Sequence, residues 1–306
     1  MQKNNNNKNK QYLDSSEDFL LNFFNKPQSQ KEEEILELLN NNPSWPILYH
    51  LSPQRQHLLG WYPFKSNATL LEVGAGCGAL TGLFCKKVKM VYANELVEKR
   101  SKVIKKRYSD IKNLSVINGS MYKLILPKKV DYIVAVGILE YAGRYFENVG
   151  ENTFYDSYLN FLKSLKQFLN KDGKLLLAIE NKLGLKYIAG GKEDHYARVF
   201  EGIENYPNFN GVRTFTKNEL IYLLNGADFS KWTFYYPFPD YKLPYSIFSE
   251  EGLKGNLNLS TSSYGQIIDL SNERIPLFNE IILANSLYEE NILEYFANSF
   301  LVEVSI

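Results

Sequence analysis

Between residues 69 and 179 the chain repeats one pattern, a short apolar run of strand length followed by a segment with apolar residues at helical spacing. The runs occupy residues 69–73, 90–93, 114–117, 130–136 and 174–179, and the helical segments 80–87, 97–108 and 154–169. In the last helix Leu159, Leu162, Leu165 and Leu169 define one face. A chain that alternates in this way returns to each new strand through a helix. Such crossovers produce an α/β fold with a mostly parallel, doubly wound sheet. Between residues 120 and 127 there is room only for a short helical turn.

The flanks read differently. Residues 1–11 are rich in Asn and Lys, bury no apolar surface and are expected to be a disordered tail. Phe19, Leu20, Phe23 and Phe24, then Ile35, Leu38 and Leu39, indicate two helices separated by Pro27, followed by a proline-punctuated stretch at 43–53. After residue 179 comes a long Gly-containing stretch, 181–211, whose length suggests a functional loop. A Thr-led helix at 216–224, a strand at 232–236 and a final strand at 300–304 follow. The resulting map is a helical extension or lid at 12–66, an α/β core at 67–236, an inserted substrate lid at 237–298 and a last core strand at 299–306.

Charge narrows the partners. With 35 Lys+Arg against 34 Asp+Glu there is no field to attract nucleic acid or an anionic membrane, so a small or neutral partner is expected. The basic segment from Lys99 to Arg107 alternates with Val103 and Ile104, and Glu98 can pair with Lys102, which describes a solvated helix face. Cys77 and Cys85 form no CxxC pair and no His/Cys cluster has metal-ligand spacing, so neither disulfide nor metal is expected. No apolar run reaches 18 residues and no signal-peptide core is present, so the expectation is a cytoplasmic protein without a transmembrane segment.

The strongest motif is Leu71-Glu72-Val73-Gly74-Ala75-Gly76-Cys77-Gly78, where the first strand passes into a helix. Glycines there allow a tight turn and let a nucleotide-like ligand approach the backbone, although packing alone can also demand them. The second strand ends at Asn94-Glu95, 21 residues beyond Gly74, where a carboxylate can accept from both hydroxyls of a ribose. The GxGxG spacing is one residue shorter than a pyrophosphate turn. The run Val136-Gly137-Ile138-Leu139-Glu140-Tyr141 closes another strand at the carboxyl edge of the sheet, where open α/β folds bind ligands.

Taken in order, Glu72 to Gly78, Glu95, Gly119-Ser120-Met121 and Ile138-Leu139-Glu140 resemble the motifs of class I S-adenosylmethionine-dependent methyltransferases, over residues 67–180. That resemblance implies a Rossmann-like sheet of seven strands and S-adenosyl-L-methionine as cofactor. It places Gly74, Gly76 and Gly78 beside the methionine portion, Glu95 on the ribose, and Ser120 with Met121 on the adenine. The expected cofactor set is Glu72, Gly74, Ala75, Gly76, Gly78, Glu95, Leu96, Ser120, Met121, Gly137 and Ile138. Two departures stand out: family members often carry Asp where Ser120 stands and His where Tyr141 stands.

Other segments resemble a bacterial subfamily found with surface-polysaccharide biosynthesis: Tyr49 to Arg55, Ile179 to Tyr187, Glu193-Asp194-His195 and Ala297 to Glu303. The resemblance implies O-methylation of a sugar or lipid-linked glycan, and is compatible with a homodimer or a glycosyltransferase partner. Removing a proton from such an acceptor calls for a base. His195, flanked by Glu193 and Asp194, is the first candidate, with His50 and Glu180 after it. Arg55, Glu140, Tyr141, Asn181, Asp194 and Asp240 are the expected acceptor contacts. An amine or carboxylate acceptor, an NAD-dependent oxidoreductase and a cofactor-binding subunit without turnover remain alternatives.

Overall fold

In the computed structural model residues 16–26, 28–41, 44–145, 155–209, 211–254, 274–275 and 277–306 are described. The expected disordered tail at 1–11 lies outside them. The chain divides into two units, Met1–Pro127 and Lys128–Ile306.

The first unit opens with three helices, α1 (Glu17–Phe23), α2 (Gln28–Asn41) and α3 (Trp45–Leu51). The third of these occupies the proline-punctuated stretch, because Pro46 sits in the first helical turn, where its missing N–H costs nothing. Strands β1 (Thr69–Val73), β2 (Met90–Glu95) and β3 (Leu114–Asn118) alternate with helices α4 (Thr81–Lys87) and α5 (Glu98–Arg107). All three strands are parallel, in the order β3-β2-β1. Leu20, Phe23 and Phe24 of α1 and its C-terminal edge join Ile47 and Leu51 of α3 in one cluster with Cys77 and Val103. The N-terminal helices are thereby packed onto the glycine turn itself.

Helix α5 is more than a solvated face. Glu98 and Lys102 do pair at 2.8 Å on its exposed side. Its arginines, however, turn inward: Arg100 pairs with buried Glu17 at 2.8 Å, and Arg107 donates to the carbonyls of His50 and Cys77. Their long stems carry the charge across the apolar face to carbonyl and carboxylate partners.

The second unit contains β4 (Val130–Val136), β5 (Leu169–Glu180), β6 (Lys231–Phe238), β7 (Ser246–Ser249) and β8 (Ser299–Ser305), in the order β4-β5-β8-β6-β7. Only β4 and β5 are parallel; β8 runs antiparallel between β5 and β6, and β7 antiparallel to β6. The expectation of seven strands is therefore corrected to eight. The additional strand, β7, lies in the stretch read as an insertion, where Tyr235 to Phe238 pair with Ser249 to Ser246. Helix α6 (Asp156–Phe168) buries Leu162 and Leu165 of the expected face together with Tyr158 and Phe161; Leu169, at its end, is buried as well, and only Leu159 is half-buried. The aromatic residues complete the i, i+3, i+4, i+7 repeat, and Leu169 already belongs to β5. Helix α7 (Lys217–Gly226) starts at Thr216, whose side chain accepts from Glu219 N while Glu219 accepts from Thr216 N. Helix α8 (Glu280–Glu289) precedes β8. Among the described residues no helix is long and apolar enough to cross a membrane.

Candidate active site

In the first unit β1 delivers Glu72 and the glycine turn, and β2 delivers Glu95 beside it. Gly74, Gly76 and Gly78 adopt φ of 71°, 57° and 80°, in the left-handed region open to glycine at little cost. Gly76 and Gly78 serve different ends. A Cβ at Gly78 would lie 2.9 Å from the Tyr108 ring, whose hydroxyl donates to Gly78 O at 2.6 Å, so that glycine is demanded by packing. A Cβ at Gly76 would meet nothing within 4 Å. Open space flanks the one glycine whose N–H also reaches the acidic end of β2.

That reach is direct. Gly76 N–H donates to Glu95 Oε2 at 2.7 Å and Val97 N–H to Glu95 Oε1 at 2.8 Å. Burial raises the Glu95 carboxyl above its ordinary range, opposed by those backbone donors and by Arg100. Glu72 is pushed up to about 8, chiefly by burial, while the hydroxyl of Thr81 donates to it at 2.6 Å and Arg55 and Arg107 act to lower it. Asn94 ties the β2 end to the next loop by donating to the carbonyls of Ile117 and Gly119, and Gly119 N donates to Glu95 O. Ser120 and buried Met121 thus follow directly from the loop anchored to Glu95. Ala75 is buried and Leu96 half-buried next to these groups in the chain.

Two acceptor-side candidates fall in this unit. Arg55 is buried, with its guanidinium 4.6 Å from the centre of the Tyr49 ring and 3.1 Å from that hydroxyl. His50 is buried against the same ring, edge to face at 5.2 Å. Both are packed within the helical extension.

In the second unit the ends of β4 and β5, the loop after β5 and the turn after β6 converge. Glu140 and Glu180 are each 1% exposed. The His195 ring lies with Nδ1 2.8 Å from Glu193 Oε1 and Nε2 3.8 Å from Glu140 Oε1, and its edge meets Tyr141 at 5.3 Å. Glu193 is itself held by the backbone N–H of His195 and Tyr196. Glu180 accepts from Tyr241 OH at 3.1 Å and pairs with Lys242 at 2.6 Å. Asp194 pairs with Lys186 at 2.8 Å and Lys242 at 3.4 Å, and accepts from Tyr187 OH. Gly137, at φ 64°, leaves room for Tyr241, whose hydroxyl would be 2.7 Å from a Cβ there; Ile138 follows at the start of the turn that carries Glu140.

This network gives three of the expected site residues partners of their own. Burial alone would lower the His195 pKa, but Glu140, Glu193 and Glu180 outweigh it and raise the value to about 10. The surrounding carboxylates favour the imidazolium form of His195 over the neutral base. Asn181 spends its amide on the carbonyls of Tyr295 and Ala297 and its Oδ1 on Leu183 N, a structural cross-tie that leaves no donor for an acceptor. Asp240 caps its own turn by accepting from Lys242 N and Leu243 N, and faces Lys186 at 3.7 Å. Lys242, Tyr241 and Lys186 escaped the sequence reading. Tyr241 and Lys242 have one signal in the sequence, their adjacency to Asp240, and Lys186 has its place in the segment Ile179 to Tyr187.

No family model matches the chain. Over 73 residues it is 32% identical to the ribosomal RNA small subunit methyltransferase A of Syntrophus aciditrophicus, covering 24% of this chain and 24% of that one. The protein of the same name from Borreliella afzelii is 30% identical over 69 residues, 22% of this chain and 25% of its own. The chain thus spans about a quarter of the length of these curated relatives. Among solved structures, a SAM-dependent methyltransferase from Thermotoga maritima aligns with 89% of this chain and 98% of its own, at 15% identity and a TM-score of 0.47.

Proposed function

We propose that this chain is an S-adenosylmethionine-dependent methyltransferase acting on a hydroxyl of a sugar or lipid-linked glycan. The observation that carries the cofactor is the pairing of Gly76 with Glu95: a left-handed glycine with open space beside it, its N–H bonded to a buried carboxylate at the end of the neighbouring parallel strand. A carboxylate so placed accepts from vicinal ribose hydroxyls, and an open backbone turn admits the rest of an adenosine-bearing ligand. The short GxGxG turn suits a ligand without a pyrophosphate, and the local identity to methyltransferases supports the same choice.

Bound there, the cofactor supplies an electrophilic methyl group on a sulfonium. The chain's own part is to hold Glu95 and the loop of Ser120 and Met121 in register, through Asn94 and the backbone donors of Gly76 and Val97. Displacement at a methyl group needs alignment above all, which a rigid strand end provides. On the acceptor side Glu140 follows the end of β4 and Glu180 closes β5, at the edge of the sheet where an acceptor hydroxyl would be held. The paired Asp194 and the charged His195 are ion-network members in this arrangement.

The test is calorimetric titration with S-adenosylmethionine, S-adenosylhomocysteine and NAD. The first two are expected to bind and NAD not to. In Glu95→Ala the dissociation constant for S-adenosylhomocysteine should rise at least about tenfold, the scale of one lost hydrogen bond to a charged group. Binding of NAD alone, or of none of the three, overturns the proposal.

A further inference from the structure

We infer that the second unit holds a divalent-cation site made by Glu140, Glu180 and His195. One ligand atom from each of the three lies within 4.8 Å of the others. Around a shared ion at about 2.0–2.2 Å per ligand, three ligand atoms sit about 3.4–3.8 Å apart, so closure requires each of them to move inward by less than about 1 Å. The three residues come from the end of β4, the end of β5 and the loop beyond it, so no sequence spacing announces them.

Two independent features point to an ion instead of a mere acidic cluster. Among the described residues, Glu140 Oε2 and Glu180 Oε2 are both buried without a hydrogen-bond partner, in side chains that are 2% and 1% exposed. A buried carboxylate oxygen with nothing to accept from is a costly arrangement that a cation removes. The histidine is also prepared for ligation. Nδ1 is engaged by Glu193 Oε1 at 2.8 Å, which leaves Nε2, the nitrogen facing Glu140, to coordinate. A carboxylate that fixes the far nitrogen of a ligating imidazole is the usual outer support of such sites.

Charge agrees. Glu140, Glu180, Glu193, Asp194 and Asp240 gather around Lys186, Lys242 and His195. The lysines compensate Asp194, Asp240 and one oxygen of Glu180; Glu140 has His195 at 3.8 Å as its ion-pair partner. A divalent ion entering at Glu140 and Glu180 offsets the two charges by which the carboxylates exceed the cations, and ligation through Nε2 releases the imidazole proton to solvent, leaving a single net negative charge. Two carboxylates and one imidazole suit a first-row ion such as Mn2+ or Zn2+, with coordination positions left for water or an acceptor oxygen.

This inference is independent of the cofactor reading, because the ion is titrated with no cofactor present. Full-length protein is treated with chelator, dialysed and titrated with Mn2+, following the free-ion signal by electron paramagnetic resonance. One Mn2+ per chain is expected, with affinity lowered at least tenfold in Glu140→Gln, Glu180→Gln and His195→Gln and unchanged in Glu95→Ala. The bound wild-type ion should also show spin-echo modulation from an imidazole nitrogen, a measurement that needs no variant to fold. No stoichiometric Mn2+ in the wild type, equal affinity in variants that keep the wild-type circular dichroism, or a bound ion without nitrogen modulation each overturns it.

Discussion

The three glycines of the first βα turn share a backbone conformation and differ in what surrounds them. Gly76→Ala places a methyl in open space and bears only the left-handed strain, on the order of 1 kcal/mol. Gly78→Ala bears the same strain and also drives a methyl against Tyr108. Gly78→Ala is therefore expected to lose at least about 1 kcal/mol more than Gly76→Ala in urea unfolding, whereas Gly76→Ala should be the variant that weakens S-adenosylhomocysteine. The reverse ranking would refute the division of labour. Glu72 makes a second prediction. Its folded pKa of about 8 lies above the ordinary 4.5, so between those values the native carboxyl keeps a proton that the unfolded chain has lost. Stability contributed by the protonated form is complete below about pH 4.5 and falls as pH rises through 8. Glu72→Gln should remove that fall, gaining on the wild type by a few kcal/mol between pH 5 and 8. Urea midpoints at several pH values measure it; parallel curves for the two proteins would rule it out.

Elements follow the local rules closely where apolar periodicity is strong. Strands β1 and β4 have the boundaries read from sequence, since in each the apolar and β-branched residues outnumber the single acidic one, Glu72 or Asp131. Helix α7 begins at the expected Thr216, and its capping box explains why: two otherwise unpaired donors at the helix start are satisfied reciprocally. Thr216→Ala should cost about 1 kcal/mol in chemical denaturation; no change would mean that another group replaces the cap. Where periodicity is mixed the reading slips. In α6 the leucines mark the buried face only in part: Leu162 and Leu165 lie on it, Leu159 is half-buried at its edge, and Tyr158 and Phe161 supply the rest. Strand β7 was overlooked since Ser246 to Ser249 is too short and polar to stand out from a loop.

At the scale of the molecule, the first unit carries the nucleotide-type turn and the second the buried ionic network. A ligand that binds only the folded chain stabilises all of it: S-adenosylhomocysteine at one hundred times its dissociation constant should add about 2.7 kcal/mol, read as a raised Tm. Glu95→Ala at the same ligand concentration should show less than the wild-type rise, and an equal rise would exclude Glu95 from the site. What the sequence determined by itself is the alternation of β1, α4, β2 and α5, the glycine turn and the acidic end of β2. These are local: a strand–turn–helix junction and a strand terminus lie within a few residues of the chemistry they present. Only the tertiary structure decided the rest. It pairs Glu193 with His195, and that carboxylate with Glu140 and Glu180 favours the charged form of an expected base. It consumes Asn181 in a cross-tie to Tyr295 and Ala297, more than a hundred residues on, and it inserts β8 antiparallel between β5 and β6. The physical reason is that a side chain's charge state and free hydrogen-bonding capacity depend on the partners that burial forces on it, and those partners come from distant parts of the chain.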